Sequence, residues 1–177
     1  KEGLEKAAET VYDLILMEML AADEMYPDDW EKAVATGFLA RNYYLFNRDT
    51  WLDDTLEHTF KAFMGLTLNC AKCHDHKYDP ISQEDYYRMR AFFEPHQVRL
   101  DPIPGELNYE KDGLPRVYDA HPAAPTFKYI RGDSKNPDME KPLSPALPEI
   151  FRKQTKLDIQ KISLSRSIHH PGLREYV

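Results

Sequence analysis

Apolar residues recur at intervals of three and four along the first stretch of the chain. Leu4, Ala7, Ala8, Val11, Leu14 and Ile15 share one face, while Glu5, Glu9 and Asp13 fall elsewhere. That spacing matches the period of a helical turn and predicts an amphipathic helix over residues 4–20. Pro27 and Asp28-Asp29 then punctuate the chain, and a short helix is expected from Trp30 to Thr36, with Gly37 as its C-terminal cap. The aromatic-rich run 41–51 contains Asn42, Asn47 and Asp49, which offer turn chemistry, so it reads as an ordered loop. A second long helix is expected from Asp54, with Glu57 placed for a capping box and Leu56, Phe60, Phe63 and Met64 as its apolar stripe. Gly65 and the β-branched Thr67 weaken that pattern. A third helix should open at Ser82 with Asp85 as a second capping box, run through Tyr86, Met89 and Phe93, and stop before Pro95.

Beyond that point the pattern changes. Of the 13 prolines, all but Pro27 and Pro80 lie at or after Pro95. Helical periodicity is weak until 149–157, so residues 95–148 are expected to be irregular, with one short strand at 126–130 and a turn at Arg131-Gly132-Asp133. The expected fold class is therefore mainly α. A helical core would span 1–94, and a long proline-rich arm over 95–177 would wrap it and lead toward a following domain. The chain opens on Lys1 rather than Met, which reads as a processed or excised piece of something longer.

Charge narrows the function classes. Thirty acidic against 23 basic residues give a net charge of −7. A non-specific nucleic-acid binder needs a basic face to release counterions, so no nucleic-acid partner is expected. The acidity is compatible with docking to a basic partner. The longest apolar patch, Leu14-Ile15-Leu16-Met17, falls far short of the ~18 residues a membrane span requires, so a soluble chain is expected. No Ser-His-Asp order, phosphate-cradling glycine loop or paired-carboxylate motif stands out.

One motif carries chemistry. Cys70-Ala71-Lys72-Cys73-His74 has the spacing of covalent haem attachment. Two thiols three residues apart can reach the two vinyl groups on one edge of a porphyrin, and the adjacent histidine can then ligate the iron. A thioredoxin-like pair would need a βαβ setting that the sequence lacks. A zinc site using Cys70, Cys73, His74 and His76 would crowd adjacent ligands into one short loop without a second Cys-x-x-Cys.

For a sixth iron ligand His58 ranks first, His96 second. Met64 and Met89 lie on apolar stripes and read as core, while His121, His169 and His170 are more remote. His58 precedes Cys70 by twelve residues, ~18 Å along an unbroken helix. It can serve the same site only if the helix breaks near Gly65–Asn69. His76 and Lys77 are candidates to contact the haem propionates, or else belong to a charged loop before Pro80.

The stretch from Phe63 through Cys-Ala-Lys-Cys-His-Asp-His-Lys-Tyr-Asp-Pro-Ile81, followed by Gln83 and Asp85-Tyr86-Tyr87, resembles the planctomycete cytochrome c-like domain. Ala35-Thr36-Gly37-Phe38-Leu39, Tyr129-Ile130-Arg131-Gly132-Asp133 and Pro171-Gly172-Leu173-Arg174 extend the resemblance over most of the chain. It implies a periplasmic or otherwise exported protein, whose domain of unknown function continues into a further domain. The expected function is single-electron transfer through one covalent haem c, to a redox partner protein or a neighbouring domain of the same chain. A haem enzyme or gas-binding domain with an open iron position, and a zinc-bound structural module, are the alternatives.

Overall fold

The computed structural model describes residues 2–26, 29–41, 43, 47–103, 105, 108 and 113–152. The described residues group into two compact units, one holding 2–43 with 97–119 and the other 47–96 with 120–152.

In the first unit, helix α1 (Glu2–Met25) confirms the expected amphipathic segment and extends it, with a break at Ala21 (φ −149°, ψ 23°). Over its described part the apolar stripe does not become core, because Val11, Leu14 and Ile15 remain 41–57% exposed. After the break the helix buries Ala22 and Asp23. Asp29 caps α2 (Trp30–Ala33) by accepting from the backbone N–H groups of Glu31 and Lys32. A 3₁₀ turn (Val34–Thr36) follows. Gly37 does not end the helical run as expected. Its φ of −55° is ordinary right-handed backbone, and α3 (Gly37–Ala40) continues from it. Strands β1 (His96–Asp101) and β2 (Leu114–Asp119) form a two-stranded sheet. The Thr36 hydroxyl donates to Ala33 C=O at 2.8 Å and accepts from Val117 N–H at 3.3 Å, tying the turn to β2. Leu39, Val98, Val117 and Tyr118 are buried around it.

In the second unit, helix α4 spans Arg48–Met64. It starts earlier than the Asp54 capping box implied, because the Asn47 side chain accepts from Thr50 N–H at 3.0 Å and caps it there. The reward is Trp51 and Leu52, both fully buried. The helix ends on Gly65, whose φ of +66° reverses the chain at a conformation few side chains tolerate. Helix α5 (Gln83–Arg90) carries the expected capping box: Ser82 Oγ accepts from Asp85 N–H and the Asp85 carboxylate accepts from Ser82 N–H. Strand β3 (Thr126–Tyr129) pairs antiparallel with β4 (Pro137–Leu143), Thr126 opposite Leu143 and Tyr129 opposite Pro137, with a register shift between Phe127 and Tyr129. A final short helix, α6, spans Glu149–Arg152, so the helical periodicity expected over 149–157 lies partly outside the described residues.

The expected mainly α, cytochrome c-like fold is thus overturned. The described residues form a mixture of α and β that includes two small antiparallel sheets. The supposedly irregular arm contributes β1, β2 and β4 in addition to the one strand expected at 126–130. The physical reason lies in the residues themselves. The buried positions of β1 and β2 include Arg99 and Arg116, both paired with Asp101, so the strands carry no simple apolar alternation. Strand β4 is exposed over most of its length and is bracketed by Pro137 and Pro142. Proline is tolerated in such a strand only where no ladder N–H is needed, which is why it reads as loop.

Candidate cofactor-attachment site

The motif sits on a tight 3₁₀ turn, Asn69–Lys72, immediately after the reversal at Gly65. Leu68 and Ala71 are fully buried and anchor the turn from beneath. Cys70 and Cys73 are both free thiols and both exposed. Cys70 C=O accepts from the N–H groups of Cys73 at 3.3 Å and His74 at 3.4 Å, which folds the three motif residues into one turn.

The turn is held in place by polar contacts. The Lys72 ammonium donates to Asp53 on α4 at 2.7 Å. Its carbonyl accepts from Gln83 Nε2 at 2.8 Å and from the Tyr87 hydroxyl at 3.1 Å, both on α5. The same Gln83 amide donates to Tyr129 C=O at 3.0 Å, so a single side chain links the motif to the end of β3. Asp75 accepts from Gln83 N–H at 2.8 Å.

Behind this layer lies Arg90, 1% exposed, which donates to Asp49, Asp53 and Glu94 and to the Tyr129 hydroxyl. Burial alone would lower the Arg90 pKa, but Glu94, Tyr129, Asp49 and Asp53 together raise it. Burial likewise works to raise Asp49, yet hydrogen bonds from Arg90 and Tyr129 hold it below the usual carboxylate range. Burial pushes the Tyr86 phenol up, aided by the Asp53 carboxylate to which it donates at 2.8 Å.

His74 is exposed, and its Nδ1 lies 2.8 Å from Asp75 C=O. A carbonyl oxygen only accepts, so Nδ1 donates, which turns the opposite ring nitrogen, Nε2, away from this contact. Ring nitrogens that ligate metals are commonly oriented in this way by the opposite nitrogen. The residues at this turn therefore fit covalent haem attachment: two free, exposed thiols and an exposed imidazole oriented by the Asp75 carbonyl.

The other sequence candidates fare differently. The reversal at Gly65 brings Asn69 back to α4, where its side chain donates to Glu57. Glu57 adjoins His58 and Asn69 adjoins Cys70, so the break that His58 required is present. His58 itself is half-buried. His96 is buried, stacks edge-on against Phe93 at 5.7 Å, and has its pKa pushed down to about 4 by burial and then by Arg48. Phe93 and Arg48 lie beside the His96 ring. Met89 is fully buried, as a core residue, but Met64 is 44% exposed.

His76 has its side chain 7% exposed and braces the loop. Its N–H donates to Ile81 C=O at 2.8 Å, while its Nδ1 accepts from Asp79 N–H at 2.9 Å. The Asp79 carboxylate lies 3.2 Å from the same ring nitrogen. Lys77 lies over the exposed Tyr78 ring at 5.2 Å. His121 sits in the second unit, its N–H donating to Pro95 C=O at 3.1 Å, and His169 and His170 fall outside the described residues. Among the described residues, no three His, Cys, Asp or Glu side chains converge as a metal-holding group.

Sequence reasoning missed Gln83, Asp53 and Arg90, which position the turn, and Gly132, which touches it. Gly132 has a φ of +75°, and a Cβ built on it would stand 2.5 Å from Cys73 Sγ. The adjoining Arg131 also has positive φ, 56°. The signal that could have found Gly132 is the Arg131-Gly132-Asp133 run, read only as a turn although it formed part of the resemblance.

No helix among the described residues is long and apolar enough to cross a membrane. No curated protein and no solved structure is significantly similar to the chain. A family model does match residues 5–98, rather more than half of the chain, and that span contains the whole motif turn and its α4 and α5 supports. The chain belongs to the PSCyt2 family, described as proteins of unknown function (DUF1549).

Proposed function

We propose that this chain is an exported c-type haem domain that carries one haem c on Cys70 and Cys73, with His74 as proximal ligand, and transfers single electrons. The observation that supports the reading best is the His74 ring, fixed by its Nδ1–H to Asp75 C=O beside two free, exposed thiols. A bound haem supplies a one-electron iron couple.

The chain's own groups perform the remaining tasks. Cys70 and Cys73 present nucleophilic sulfur from one turn. His74 presents Nε2, and the Asp75 carbonyl keeps its tautomer and ring orientation. Lys72, Gln83 and Tyr87 hold the turn against α4 and α5 so that these atoms do not drift apart. Such a support shell is what keeps a ligating residue within the narrow geometry its task requires. The partner receiving or delivering electrons is a redox protein or a neighbouring domain of the same parent chain.

The test is the intact mass of protein matured in a host with haem-attachment machinery, after acid–acetone extraction. A retained increment of one haem with a c-type reduced band is the expected result. An unmodified mass from such a host overturns the reading, and stoichiometric zinc in that sample would replace it with the structural-module alternative. Ready carbon monoxide binding by a haem-loaded, high-spin protein would replace electron transfer with open-site chemistry.

A further inference from the structure

Both thiols of the motif are exposed, and one of them lies against a turn far along the chain. Cys73 Sγ faces the backbone of Gly132, close enough that a Cβ there would fall 2.5 Å from sulfur, with Lys72 C=O at 3.3 Å and Lys72 Cγ at 3.4 Å. A real Cβ essentially never stands that near another heavy atom, so any side chain at position 132 would force the Cys73 sulfur or the 130–132 turn to shift. The backbone favours glycine too, since Gly132 lies at φ +75°, and the adjoining Arg131 is held in the same left-handed region at φ 56°. A non-glycine residue held in the left-handed region persists only where its surroundings over-determine it.

Those surroundings are visible. Gln83 Nε2 bridges Lys72 C=O and Tyr129 C=O, clamping the motif to the residue that precedes the turn. The Tyr129 hydroxyl donates to Asp49 at 2.8 Å, and its ring lies under the Arg90 guanidinium at 4.9 Å. Ile130 N–H donates to Asn136 C=O, and Asp133 N–H to Ile130 C=O, which closes the turn on itself.

We infer that Gly132 is a positioning residue for the Cys73 thiol. It closes one side of the sulfur with main chain and leaves the other open, so Cys73 offers a single direction of approach to an alkene. The inference deepens the attachment reading and rests on it for its biological meaning. The chemistry is thiol addition: a sulfur–carbon bond forms, the alkene π bond breaks, the thiol proton ends on the neighbouring carbon, and nothing is oxidised or reduced. Addition at Cys73 is therefore slower than at Cys70, and the difference belongs to the folded chain.

N-ethylmaleimide performs this same addition without haem, which makes it a suitable probe on the whole haem-free, reduced chain. Site-resolved peptide mass spectrometry gives the two rates, each divided by its rate in denaturant. The expected result is a normalised Cys73 rate several-fold below that of Cys70. Gln83→Ala should release the clamp and raise the Cys73 rate several-fold with the Cys70 rate unchanged. Gly132→Ala should change the Cys73 rate selectively, provided circular dichroism shows the fold intact. The Gln83 variant, which removes no glycine, carries the test if that fold is lost. Equal normalised rates in the native chain, or a Gln83→Ala effect shared equally by both thiols, overturn the inference. A missing haem adduct overturns only the attachment reading, because the alkylation data need no haem.

Discussion

Two buried charged clusters, one in each unit, are neutralised in opposite ways. In the second unit Arg90 is surrounded by Asp49, Asp53 and Glu94, with the Tyr129 hydroxyl and ring completing its contacts. Opposite charges and hydrogen bonds there outweigh burial, so the guanidinium and Asp49 stay ionised. In the first unit Asp23, 3% exposed, lies near the like charges of Asp119 and Glu24. Burial first, then Asp119 and Glu24, push Asp23 up to about 7 against a weaker opposing pull from Arg116. Burial and Glu24 likewise push Asp119 up to about 6. One Asp23 carboxylate oxygen is buried without a hydrogen-bond partner. The contrast teaches that a buried charge survives only with a counter-charge, and otherwise takes up a proton.

The hub is the first place to break this comparison. Arg90→Met should leave Asp49, Asp53 and Glu94 facing one another and cost about 3–5 kcal/mol in chemical denaturation. A loss below ~1 kcal/mol would show that the carboxylates relax into water and that the hub does not hold the unit together.

The carboxyl cluster predicts a smaller effect with a defined pH sign. The folded pKa of Asp23, about 7, lies above its ordinary value of 3.8, so between those limits the folded state binds more protons than the unfolded state. Stability from this group is thus fully present below pH ~4 and is lost as pH rises through 7. Asp23→Asn should flatten the fall in that window, recovering roughly 2–3 kcal/mol at pH 8, less than the whole shift because Asp119 titrates with it. Urea titrations at a series of pH values measure the slope, and an unchanged slope would remove Asp23 from the account.

Tyr129→Phe sharpens the hub comparison with the least disturbance. It deletes the hydroxyl that links Asp49 to Arg90 but leaves every charge paired, so the expected loss is about 1 kcal/mol. A loss as large as that of Arg90→Met would mean that the phenol, not charge compensation, organises the hub.

Legibility in the sequence followed the same divide between simple and compensated patterns. The α1 helix, the Ser82–Asp85 capping box and the strand before Arg131 were readable because a single periodicity or cap specifies each. The motif was readable because its chemistry is local: Cys70, Cys73 and His74 fall within one turn. Strands β1 and β2 were not, because their buried arginines gain burial only by pairing with Asp101, a tertiary fact that no window of sequence displays. The start of α4 was misplaced because two caps compete, and burial of Trp51 favours Asn47 over Asp54. Gly132 escaped notice since its neighbour in space, Cys73, is far away along the chain.

That separation also has a meaning in time. Gly132 follows Cys73 by about sixty residues, and a chain made at ~5–20 residues per second delivers it some 3–12 seconds later. During that interval Cys73 has no backbone wall beside its sulfur. The thiols are at their most alike in a nascent chain, and the closing of the 130–132 turn marks the moment at which they become distinguishable.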